Sequence, residues 1–166
     1  MPANRPPKDG EGTSLDEAAL HALSREYAVA ADRGDVERFL SVFTDDGALT
    51  VPGPPVRTLR GHDELSVVPG LLSRYHRTFH LVGQGTYRPT GAGSAAGEVY
   101  CVAHHLERGS DDAPEVGSDK VMYICYLDEY IFGGSGWRIG HRTLDLRWTD
   151  HHSVSMSALP RPTEAR

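Results

Sequence analysis

The segment "RYHRTFHLVGQGTYRP", residues 74–89, sets His76 and His80 four positions apart. Four residues return to the same face on a helix, and also on a strand, where side chains alternate. The two imidazoles are therefore expected to share one space. A neutral imidazole near its unperturbed pKa takes up and gives back protons around neutrality, which is general acid–base chemistry. Two co-facial histidines can also begin a zinc site. However, "HRTFH" lacks the glutamate of the HExxH signature, and no cysteine pair or acid stands nearby at ligand spacing. No metal is expected. The plainer alternative is a pair of core or surface histidines.

Other residues carry the same double reading. Asp32 falls in the last turn of a helix, where a negative charge meets the negative end of the dipole and costs a few tenths of a kcal/mol or more. It lies on the flank of that helix's apolar stripe, so it is either a solvated acid beside Arg33 or a functional carboxylate. His104 and His105 are adjacent on a strand and point to opposite faces, so at most one of them faces a pocket. Arg142 shares a face with Leu144, Leu146 and Trp148, and a cation on an apolar face is either a buried ion pair or an anion-stabilising group. Asp128, between Tyr126 and Tyr130, reads as a structural hydrogen-bonding residue. The chain contains no P-loop, no GxGxxG and no GxSxG, which removes support for nucleotide binding and serine hydrolysis.

The elements that must hold these residues can be read from periodicity. Residues 1–12 are expected to be a disordered lead. Ser14 is expected to start a first helix, with Glu17 completing a capping box. Leu20, Leu23, Tyr27 and Ala30 form its buried stripe, and Gly34 ends it. Asp35 caps a short second helix that turns Val36, Phe39, Leu40 and Phe43 inward. "TDDG" reads as a turn, "ALTVP" as a first strand and "GPPVRTLRG" as a loop. A third helix is expected over about 62–74, kinked or ended by Pro69. Beyond His76 the period becomes two, with strands near 77–89, 95–107, 119–132 and 137–149. Short connections make these an antiparallel meander, and residues 150–166 a polar tail. Helices followed by long strands imply an α+β domain over 13–149, with helices covering one face of a curved sheet and enclosing a pocket.

The 166-residue length suits a single domain with a real core, and the net charge of −6 argues against nucleic-acid or anionic-membrane partners. No apolar run reaches membrane-spanning length, and "MPANRPPKDGEG" is not a signal peptide. Cys101 and Cys125 are isolated in strand-like runs and read as reduced packing residues of a cytoplasmic protein.

Taken together, "YAVAADRGDVERFLSVFTDDGALTV", "GHDEL", "YHRTFHLVGQ" and "GWRIGHR", in that order, resemble the SnoaL-like branch of the nuclear-transport-factor-like superfamily. The likeness spans about residues 15–148 and implies a cone-shaped α+β barrel. Within that superfamily the pattern is similar to bile-acid 7α-dehydratases, scytalone dehydratase and hexachlorocyclohexane dehydrochlorinase, which share an Asp–His dyad in an apolar cavity. The resemblance assigns Asp32 and His80 to the dyad, with Tyr27, His76 and Arg142 as further catalytic groups. A second active-site tyrosine used by some dehydratases has no counterpart, since Val51 or its neighbours fill that stretch.

The expected activity is a cofactor-independent elimination on a small, apolar, ring-bearing substrate, with His80 as base. Isomerisation or polyketide cyclisation uses the same proton abstraction and stays open, as does a non-catalytic binding module. Phe43, Val51, Tyr123, His104 and Trp148 are expected to line the substrate space. The broad uncovered sheet face is expected to pack a homodimer or homotrimer.

Overall fold

The computed structural model describes residues 15–156. The first helix, α1 (Glu17–Arg33), is capped two residues later than its sequence suggests: Asp16 is the N-cap, and its carboxylate accepts from the Ala19 N–H at 2.9 Å. Ser14 and the expected lead at 1–12 lie outside the described residues. Gly34 ends α1 at a φ of 67°, a left-handed setting that suits glycine. Asp35 then caps α2 (Val36–Leu40) by accepting from the Arg38 N–H. That helix is shorter than expected. Phe43 has already left it and opens β1 (Phe43–Val51).

The loop expected between residues 53 and 61 contains a strand, β2 (Arg57–Arg60), which folds back antiparallel on β1. The expected third helix is two helices, α3 (Gly61–Leu65) and α4 (Val67–Leu72). Pro69 explains the break. A proline cannot donate to the residue four before it and clashes with that carbonyl, and here that residue is Leu65, the last of α3.

Four long strands complete the chain: β3 (Arg77–Gly91), β4 (Ser94–Glu107), β5 (Val116–Gly133) and β6 (Gly136–Ser155). They form the expected antiparallel meander, and β1 joins its far side parallel to β6, giving the order β2-β1-β6-β5-β4-β3. The architecture is α+β, with a curved, unclosed, mostly antiparallel six-stranded sheet and four short-to-medium helices. Residues 150–155 are not a tail. They are the end of β6, paired with Val116–Val121 of β5, while 157–166 lie outside the described residues. Cys101 and Cys125 are both free and buried. Cys101 sits opposite inward-facing Ile124, so Cys125 points to the other face.

A buried ionic cluster joins α1 to the sheet. The Arg142 guanidinium, fully buried, donates from Nε and Nη2 to the two oxygens of Asp128 at 2.8 and 2.6 Å. Nη2 also donates to Ser24 Oγ of α1 at 2.7 Å, and the Tyr130 hydroxyl donates to Asp128 at 2.7 Å. The guanidinium lies 4.4 Å from the ring centre of Tyr27 and 4.1 Å from that of Tyr126. Burial alone pulls the Arg142 pKa down, but the charge and hydrogen bonds of Asp128 outweigh it, and the side chain stays charged. Removing one partner of such a pair strands a charge in the core. Asp128→Ala is expected to lower stability by about 3–5 kcal/mol. Replacing the pair with apolar residues of similar volume, Asp128→Leu with Arg142→Met, is expected to cost much less. Urea denaturation of both variants checks this, and equal losses would show that the pair does not act as a unit.

Candidate active site

Asp32 sits in the last turn of α1, one and a half turns beyond Tyr27, and α1 packs across the start of β3. Thr78 and His80 alternate on that strand and so face the same side. Three donors converge on the Asp32 carboxylate. Its Oδ1 accepts from Thr78 Oγ1 at 2.8 Å and from His80 Nδ1 at 2.7 Å, and its Oδ2 accepts from the His80 backbone N–H at 2.9 Å. Burial works to raise the Asp32 pKa. The bonds and charge of His80, with the Thr78 hydroxyl, overcome this and hold it below the ordinary carboxylate value. An ionised carboxylate can only accept, so His80 Nδ1 carries a proton, and in the neutral ring the lone pair is then on Nε2. The two side chains are 20% and 8% exposed, respectively, so the pair is largely shielded from water.

His80 opens onto a cavity of about 330 Å³ between the concave sheet face and α1 and α4. Its walls are mostly apolar, among them Leu49, Val51, Val68, Met122, Ile124 and Leu144. Tyr27 and Tyr126 also line it. Burial pushes the Tyr27 hydroxyl up to about 12 and that of Tyr126 well above its usual value, so both remain protonated donors. A larger, more open hollow of about 500 Å³ lies elsewhere on the sheet, over Arg88, Glu98, Glu129 and His141. It is more open and lacks the Asp32–His80 pair, and the dyad cavity is the better candidate site.

The structure brings together Asp32, His80, Tyr27 and Val51, and leaves other expected residues outside the cavity lining. His76 lies in the bend between α4 and β3, before regular alternation begins, and Tyr75 lines the cavity instead. Arg142 is sealed behind Tyr27 and Tyr126 in its pair with Asp128, so of its two sequence readings the buried ion pair is the one observed. Phe43 packs in the core against Phe39 and Tyr27. His104 points to the opposite sheet face, where its ring is 39% exposed and Nδ1 meets Asp119 at 2.7 Å. Tyr123 and Trp148 also lie on that face, their rings stacked 4.5 Å apart. The cause is a β-bulge. Ile124 opposes Leu146 whereas Tyr123 opposes Trp148, so one additional residue, Arg147, reverses the alternation of β6. Trp148 is 58% exposed as a result.

His105 is the residue that the sequence left undecided. It faces inward beneath Tyr75, with ring centres 4.8 Å apart, and its ring meets His80 edge-on at 5.6 Å. Burial first, then the neighbouring His80 and Lys120 charges, lower its pKa and keep it neutral. Its Nδ1 lies 3.4 Å from the Lys120 carbonyl, a long contact that favours the proton on Nδ1. The signal was present in the chain. Val99, Cys101 and Ala103 are small apolar residues at every second position, and they continue to His105, not His104. Among the described residues no group of three His, Cys, Asp or Glu side chains is arranged to hold a metal ion, and no helix is long and apolar enough to cross a membrane.

Comparison with known proteins agrees with this architecture. A scytalone dehydratase candidate from Novosphingobium aromaticivorans aligns over 81% of this chain and 86% of its own, with a TM-score of 0.68 and 17% identity. A hexachlorocyclohexane dehydrochlorinase from Novosphingobium barchaimii aligns over 88% and 94%, with a TM-score of 0.69 and 16% identity. A protein of unknown function with a cystatin-like fold from Nostoc punctiforme aligns over 81% and 92%, with a TM-score of 0.62 and 21% identity. At these identities the likeness is one of fold. No curated protein matches the chain by sequence. The family model of the SnoaL-like domain matches residues 12–143, most of the chain, and the protein belongs to the SnoaL-like domain family.

Proposed function

We propose that the protein is an acid–base lyase of the dehydratase type, acting on a small, apolar, ring-bearing substrate with His80 as the general base. The observation that carries this reading is the 2.7 Å bond from His80 Nδ1 to Asp32 at the wall of an apolar cavity. That bond leaves Nε2 as the basic atom. In the proposed step Nε2 takes a proton from a carbon next to an activating carbonyl, and the C–H electron pair forms an enolate that collapses to the new C=C bond as the β C–O bond breaks. Asp32 stabilises the imidazolium as it forms. Tyr27, held protonated, donates to the oxygen on which negative charge develops. The imidazolium then gives its proton to the departing hydroxyl, which leaves as water.

One observation favours a second reading with the same base. His105 presents a second imidazole beside His80 on the cavity wall, its ring centre 5.6 Å away, with burial lowering its pKa. A proton taken at one carbon and returned at another is an isomerisation, and two imidazoles facing one cavity suit that outcome as well as elimination.

Cyclic β-hydroxyketones, followed by the growth of enone absorbance, test the elimination reading. His80→Ala is expected to lower the rate by roughly 10²–10⁴, the usual scale of general-base catalysis. Asp32→Asn keeps the shape, removes the charge and is expected to lose a similar factor. The double variant should be little worse than either single one, because the two residues act as a unit. His104→Ala, on the other face, should retain its rate. Full activity in folded His80→Ala and Asp32→Asn would overturn the assignment.

The same pair makes a prediction about acid stability. Asp32 titrates below its unfolded value, which is about 3.9 for an unperturbed aspartate. Its contribution is therefore complete above that pH and is lost as pH falls through the lower folded value. Urea midpoints measured at about pH 5 and pH 3 should fall more steeply in the wild type than in Asp32→Asn. Parallel lines for the two proteins would contradict the bond.

A further inference from the structure

The dyad and the apolar wall leave one side of the cavity unexplained. Arg74 and Lys120 both line it, and among the described residues no carboxylate does. The two cations belong to one continuous arc. Lys120 is the cross-strand partner of His105, the His105 ring rests 4.8 Å from Tyr75, and Tyr75 Oη accepts from Arg74 Nη2 at 2.8 Å. The Arg74 guanidinium also lies 4.8 Å over the Tyr75 ring, which holds it at the rim with most of its donors unused. Arg74 is exposed and Lys120 half-buried, so the arc marks the solvent end of the cavity. Among the described residues neither cation has an ion-pair partner. This is not a reflection of overall composition, because the chain as a whole carries a net charge of −6.

A cleft lined by charges of one sign concentrates its field on a ligand of the opposite sign. Apart from His80, His105 and three tyrosines, of which Tyr27 and Tyr126 are buried, the rest of the lining is apolar. We infer that the substrate is amphipathic, an apolar ring body bearing one carboxylate, which Arg74 and Lys120 hold at the cavity mouth while the ring reaches His80. Each of a carboxylate's two oxygens can accept from one of the two cations. The inference rests on the dyad cavity being the substrate site, and it adds the substrate class and two specificity-determining residues.

The test is calorimetric titration of the full chain with a naphthylbutyrate and with its neutral carboxamide, at low and high salt. The carboxylate is expected to bind roughly five- to tenfold more tightly than the amide at low salt, the scale of two partly exposed ion pairs, and salt should narrow the gap. In Arg74→Gln/Lys120→Gln the amide should bind as before and the carboxylate should lose its advantage. Arg88→Gln, a cation away from this cavity, should keep the wild-type preference. Circular dichroism of each variant establishes that it is folded. Equal affinity for the two probes in the wild type, a preference that survives in the double variant, or failure of both probes to bind would each overturn the inference. His80→Ala, carried through the same titration, separates this result from the catalytic reading. It should retain the carboxylate preference whatever its effect on turnover.

Discussion

A guanidinium placed in a protein core must be paired, and much of this molecule is arranged around meeting that requirement for Arg142. Asp128 neutralises it from the neighbouring strand, Ser24 takes a further hydrogen bond from α1, and two tyrosine rings cover it. Because Ser24 and Tyr27 lie on one helix, these contacts fix how α1 is rotated against the sheet. That rotation carries Asp32, five residues past Tyr27, to the start of β3 and to His80. The ionic cluster does not touch the cavity's contents, yet the dyad depends on it for its position.

The pairing itself depends on one added residue. Across the tight β5–β6 hairpin, Gly133 opposes Gly136 and Tyr130 opposes Ile139. Continued without change, that register would set Asp128 opposite His141. An irregularity between Glu129 and Tyr130 takes up Gly140, and Asp128 meets Arg142 instead. The bulge thus determines which side chain is buried as a cation. It also leaves His141 on the other face, where Nε2 bonds Thr50 at 2.9 Å.

These details mark the limit of what the chain disclosed before it was folded. The α1 stripe, the four long strands and the convergence of Asp32 with His80 follow from periodicity and from a family resemblance, both of which survive small errors of register. Trp148 and His76 were misplaced because alternation was extended through a bulge in one case and a bend in the other. Neither irregularity has a strong local signature in the sequence. Tyr123 and His105 are different. The parity of their neighbours fixes their faces: Tyr126 and Asp128 lie an odd number of residues from Tyr123, which therefore faces away from them, and Cys101 and Ala103 lie an even number from His105, which joins them. Arg142 presented two readings of equal physical merit, and only the position of Asp128 separates them.

The second irregularity of β6 has a different character from the first. Arg147 is the supernumerary residue between the Ile124–Leu146 and Tyr123–Trp148 pairs. A chain one residue shorter at this point would keep the same partners along the ladder and lose only the local bend, since a bulge adds twist and curvature without adding a pair. The curvature of β6 is therefore set partly by strand length and not only by the identity of its residues. In a sheet of this kind, shape is open to change by counting residues as well as by exchanging them.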